Sequence, residues 1–128
     1  MSKKLERLLI ALFILGSVVV FLWTNHSRPR VFILHSYGPD YTWTRDVSIG
    51  LKRVLDNKAF YSVRWHNMDL KRYPWPEFKQ SAGLRARRAI ENFDPDVLIA
   101  VDDDAQKYAA KYFVGHPRTK IVFAGLNG

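Results

Sequence analysis

A chain of 128 residues with 20 basic and 12 acidic side chains carries a net charge of +8 and contains no cysteine. That length suits one modest domain, and the missing thiols exclude disulfides, a thiolate metal site and a lipid-modified cysteine. The basic residues are scattered along the chain, which argues for solubility or weak attraction to anionic surfaces and against a nucleic-acid groove.

Residues 1–7 form a basic start with Lys3, Lys4 and Arg7. Residues 8–24 read as a transmembrane signal-anchor. The run from Leu8 to Trp23 is apolar except for Gly16 and Ser17, somewhat short of the ~20 residues usual for a span. No small-x-small cleavage site follows in Thr24-Asn25-His26-Ser27, which favours an uncleaved anchor over a cleaved signal peptide. The basic start should stay cytoplasmic and the remainder be exported, although Arg28 and Arg30 on the far side oppose that bias. Residues 25–29 are a short linker, and residues 30–128 are the folded part.

Val31-Phe32-Ile33-Leu34 predicts a first buried strand, stopped by the polar, turn-rich His35-Ser36-Tyr37-Gly38-Pro39-Asp40. A helix follows from about Thr44, with Val47, Leu51, Val54 and Leu55 on one face. Tyr61 to Trp65 alternates as a second strand, and Asp69 lies in the loop behind it. Pro74-Trp75-Pro76 opens a second helix whose apolar side is Phe78, Ala82, Ala86, Ile90 and Phe93. Asp94-Pro95-Asp96 ends that helix and begins a third strand, Val97 to Val101. A third helix carries Ala105, Tyr108, Ala109, Tyr112 and Phe113, with Gly115 as its cap and Pro117 as a stop. Lys120 to Ala124 is a fourth strand. The order β-α-β-α-β-α-β predicts an α/β fold, a four-stranded parallel Rossmann-like lobe with helices on both faces. The open edge after the fourth strand reads as an apparently truncated first lobe, or as a piece that pairs with another chain.

The conspicuous chemistry is Asp102-Asp103-Asp104, directly behind the third strand. Adjacent carboxylates repel and are costly to desolvate, so they need partners. Asp103 suits the N-cap of the third helix, with Gln106 as its reciprocal partner, and Asp104 suits solvent in the first turn. Asp102 is then left to face a cleft, because ligands of open α/β sheets bind at the carboxyl ends of the strands. A metal-bound triplet of the kind found in nucleotide-sugar glycosyltransferases is the alternative enzyme reading. The loop from His35 to Thr44 mixes hydroxyls with Tyr37, Tyr41 and Trp43, which suits a small polar ligand with a flat part. His35 and Ser36 are neighbours in sequence, poor geometry for a nucleophile and its base, and no G-x-S-x-G, G-x-G-x-x-G or phosphate loop is present. Arg85, Arg87 and Arg88 read as a solvated helix face, with Glu91 in reach of Arg87 or Arg88. The scattered histidines show no metal-ligand spacing. Gly125 and Asn127 lie at the end of the fourth strand, where the glycine permits a close backbone approach.

Three stretches resemble one family. Val31 to Tyr37 followed by Tyr41-Thr42-Trp43-Thr44 is similar to the start of ABC-transporter substrate-binding-protein-like domains of the type I periplasmic binding fold. Pro95 to Ala105 resembles their third strand and the turn after it, and Val122 to Asn127 their fourth. The resemblance implies non-catalytic capture of a small solute between two lobes, of which residues 30–128 would be the first. It implies no cofactor and no metal. It implies ligand contacts at Ser36, Tyr37, Trp43, Asp102, Asp103 and Asn127, to which the position of Asp69 behind the second strand adds a further candidate contact. An amine-bearing solute is the preferred ligand, with Asp102 as its acceptor. The implied partners are a second lobe, a permease or a sensor kinase, besides the membrane itself. The implied location is the bacterial inner membrane, single-pass, with the lobe facing the periplasm or cell exterior. A purely structural interaction lobe, docking through the open sheet edge, is a further alternative.

Overall fold

The computed structural model describes residues 1–56 and 60–125. The first helix, α1 (Lys3–His26), has a mean hydropathy of 2.4 and buries none of its residues. At 1.5 Å per residue it is about 36 Å long, enough to cross a bilayer core of ~30 Å. It extends past the apolar run because Ser2 caps it, its Oγ accepting from the Leu5 amide, and because the polar residues from Thr24 to His26 continue the turn.

Behind the linker come β1 (Arg30–His35), α2 (Thr42–Leu55), β2 (Ser62–Asn67), α3 (Pro76–Phe93), β3 (Val97–Val101), α4 (Asp103–Tyr108) and β4 (Lys120–Ala124). All four strands are parallel, in the order β2-β1-β3-β4. The α/β lobe with a four-stranded parallel sheet, expected from the alternating pattern, is therefore the observed fold. The apolar runs of β1 and β3 are central; β1 is buried on both faces, whereas Val97 and Ile99 of β3 are half-buried on the α2 side.

Alternation within the strands splits the burial. Phe32, Leu34, Leu98 and Ala100 point to one side and form the main core with Ala82, Ala86, Ile90 and Phe93 of α3 and Ala105 of α4. Each large apolar side chain buried there contributes about 1.5–3 kcal/mol. Val31, Ile33 and His35 point to the other side, where Ser48 of α2 meets the His35 ring at 3.1 Å. That face is less covered, and Val122 on the edge strand is half exposed.

Two local features depart from the expected pattern. The third helix is not continuous: α4 stops at Tyr108 and a short 3-10 turn, Ala110–Phe113, completes it. The stop lies where the Tyr108 backbone abuts Gly83, at which an added Cβ would sit 2.6 Å from the Tyr108 carbonyl oxygen. Arg87 also does not behave as a solvated cation beside Glu91. Its guanidinium lies 4.1 Å from the centre of the Tyr112 ring, an arrangement that satisfies the charge by cation–π attraction. Asp94 ends α3 in the left-handed region at φ 50°, a conformation Asp tolerates.

Candidate functional site at the carboxyl edge of the sheet

Strand order locates the site. In β2-β1-β3-β4, connections from β1 and from β3 run to opposite sides, so the switch point lies between the carboxyl ends of β1 and β3. The residues that leave those ends are Ser36-Tyr37 and Asp102.

Asp102 is tightly constrained. Its backbone sits at φ 75°, ψ 164°, a region essentially reserved for glycine and costing about 1–3 kcal/mol for any other residue. Its amide donates to the Ala124 carbonyl at 2.8 Å, which prolongs the β3–β4 ladder, and its Oδ1 accepts from the Asp103 amide at 2.7 Å. The residue is 5% exposed. Ring and carboxylate meet at its outer side. Burial first, then the negative charge and hydrogen bond of Asp102, push the Tyr37 phenol up to about 12.

Tyr37, Tyr41, Trp43, Lys71 and Asp102 line a cleft of about 300 Å3. Tyr37 and Tyr41 meet edge to face at 5.1 Å between centroids. The Lys71 ammonium lies 5.7 Å from the Tyr37 ring centre and 5.5 Å from that of Tyr41. Trp43 leans on the end of β4. At Gly125, φ 69°, a Cβ would stand 3.1 Å from the indole Cζ2. The close approach expected at that glycine is thus made by an aromatic ring of the same site. A second hollow of about 310 Å3 adjoins the first through Tyr41 and Lys71, and Gly38, Asp40, Asp69 and Arg72 complete it.

Of the expected ligand contacts, Tyr37, Trp43 and Asp102 are brought together in the cleft. Asp69 lies in the neighbouring hollow, in the left-handed region at φ 59°, with Oδ2 3.6 Å from the Arg72 guanidinium. Asp40 completes that ion pair at 2.8 Å, and the two carboxylates, Asp69 foremost, raise the Arg72 pKa. Ser36 does not line the cleft. It is 1% exposed, its hydroxyl donates to the Val101 carbonyl at 3.0 Å and accepts from the Ala105 amide at 2.7 Å. Both its capacities are spent on joining β1, β3 and α4.

Asp103 is exposed in the first turn of α4 and does not line the cleft. The helix cap falls one residue earlier, on Asp102, with Ser36 serving the Ala105 amide from another strand. A nearby sequence pattern cannot reveal a cap delivered from 69 residues away. The Gln106 side chain is not the reciprocal partner, since the Asp103 amide it would accept from donates to Asp102 Oδ1 instead. Asp104 is not left to solvent. It pairs with Lys79 of α3 at 2.9 Å, and that hydrogen bond raises the Lys79 pKa. Asn127 lies outside the described residues. Lys71, which the sequence pattern does not single out, is brought to the cleft by the fold.

The three carboxylates therefore diverge: one inward, one outward, one against α3. Among the described residues no group of three or more histidines or acids is arranged to hold a metal ion. What the cleft offers chemically is a buried carboxylate acceptor, an ammonium donor and aromatic walls between them. No protein-family model matches the chain, and neither does any curated protein or solved structure.

Proposed function

We propose that the chain is a membrane-tethered extracytoplasmic lobe that binds a small amine-bearing solute without transforming it. The observation that carries the reading is Asp102: buried, strained and held at the switch point of a parallel sheet. Backbone strain in a non-glycine residue persists where the side chain is needed in one place. An ammonium or hydroxyl donor would meet Asp102, and the Tyr37, Tyr41 and Trp43 rings would enclose the apolar part. Lys71 would take a carboxylate or other acceptor at the far end. Aromatic rings flanking a cation also stabilise the amine directly.

The apolar helix α1 supports tethering, and the basic Lys3, Lys4 and Arg7 before it support a cytoplasmic start with the lobe outside. The resemblance to ABC-transporter substrate-binding-like domains supports a place in solute uptake or sensing. A second lobe, a permease or a sensor kinase would be the partner. A glycosyltransferase-like enzyme built on the aspartate triplet has less support, because Asp104 is paired with Lys79 and the three carboxylates point in different directions.

Calorimetric titration of the full chain in nanodiscs against an amine-bearing solute library, with and without Mn2+, tests the reading. Saturable, metal-independent binding that weakens in Asp102→Asn is the expected result. Binding of nucleotide-sugars alone, and only with metal, would overturn it.

A further inference from the structure

A second cleft, of about 350 Å3, opens on the α2 side of the sheet, between α2 and the edge strand β2. Arg45, Ser48, Ile49 and Lys52 line it from the helix. Their spacing of i, i+3, i+4 and i+7 puts all four on one face. Trp65 and Asn67, two apart on β2, line it from the sheet. A helix face that packs on a sheet is ordinarily apolar, yet this one presents two cations.

The two charged groups, Arg45 and Lys52, are both cations and donate only. No carboxylate lines the cleft, and neither Arg45 nor Lys52 has an acidic partner among the described residues. Lys52 rests with its ammonium 5.6 Å from the Trp65 ring centre. The floor is rigid, since Trp65 stacks parallel to the buried His35 ring at 9° between planes, and Ser48 is engaged with His35 Nε2. Asn67 is engaged with the Tyr37 carbonyl at 3.0 Å. The charged function without a partner is therefore the Arg45 guanidinium, and the Lys52 ammonium is held only by the Trp65 ring, which an aromatic ligand would share. An unpaired guanidinium fork fits a carboxylate in two parallel hydrogen bonds.

We propose that this cleft binds a small aromatic carboxylate, the carboxylate on Arg45 and Lys52 and the ring against Trp65. It is a different site from the Asp102 cleft and selects the opposite charge. A pocket of this size is at the low end for small-molecule sites and holds a single ring with its acid group.

The test uses the full chain in nanodiscs and follows the Trp65 indole resonance, assigned with Trp65→Phe, during titration with benzoate and, separately, inorganic phosphate. Benzoate should move the resonance saturably and bind about tenfold more tightly than phosphate. Arg45→Gln with Lys52→Gln should weaken benzoate by about tenfold or more while near-UV circular dichroism stays unchanged. Lys107→Gln with Lys111→Gln removes the same charge elsewhere and should leave benzoate affinity as it was. No saturable shift, a shift that survives the Arg45/Lys52 variant, or phosphate binding as well as benzoate would each overturn the proposal.

Discussion

Replacing Asp102 by glycine and by alanine should reverse the usual order of stability for those two residues. At an ordinary position alanine is the more stable by about 0.5–1 kcal/mol, because glycine gives up more chain entropy on folding. At φ 75°, ψ 164° alanine retains a backbone penalty of about 1–3 kcal/mol that glycine escapes. Both variants lose the same acceptor for the Asp103 amide, 2.7 Å away, so that loss cancels in the comparison. Subtracting the middle of the entropy range from the middle of the strain range leaves glycine ahead by about 1 kcal/mol. For a lobe of about 100 residues this is a melting difference of several degrees. Urea unfolding of the full chain in a non-ionic detergent, followed by tryptophan fluorescence, measures it. Alanine equal to or more stable than glycine would refute the strained placement of Asp102, and with it the argument that the side chain is held there for a ligand.

Burial pulls the His35 pKa down to about 4 from 6.5. Between these values the unfolded chain binds more protons than the native one, so the stabilisation is complete above pH 6.5 and gone below about 4. It amounts to something on the order of 3 kcal/mol, and a His35 ring resonance that titrates near 6.5 would refute it. His66 is lowered mainly by burial and adds in the same direction. Ser36→Ala leaves the buried Ala105 amide without an acceptor and should cost about 2–3 kcal/mol in unfolding free energy; a change below 0.5 kcal/mol would contradict the cap. Gly83→Ala should lower the melting temperature despite alanine's better helix propensity, because its Cβ meets the Tyr108 carbonyl and overpacking costs about 1–3 kcal/mol. An increase in melting temperature would show that α3 and α4 separate easily.

The strands were legible because β1 and β3 are unbroken apolar runs, and the helices because Phe78, Ala82, Ala86, Ile90 and Phe93 keep a helical period. Strand order was not legible. Nothing in the local pattern says that β1 lies between β2 and β3, and the switch point depends on that order. Asp102 was singled out by a local argument about crowded carboxylates, which needs no tertiary knowledge. Its neighbours Asp103 and Asp104 were assigned wrongly because their partners are distant: Ser36 supplies the amide acceptor expected of Asp103, and Lys79 takes the charge of Asp104. Ser36 illustrates the same point, since a hydroxyl at a strand end serves a ligand or the fold according to what packs beside it. Lys71 was overlooked because a lysine in a polar loop carries no pattern until Tyr37 and Tyr41 are seen beneath it.

The most direct test of the central claim is the affinity of an amine-bearing solute for the full chain before and after Asp102→Asn. The substitution keeps the shape and removes the charge. A charge-assisted hydrogen bond is worth about 1.5–3 kcal/mol, so the dissociation constant should rise roughly ten- to hundredfold while the fold, read by near-UV circular dichroism, is unchanged. Equal affinity for the two proteins would contradict the account, because the strained carboxylate would then have no part in holding the solute.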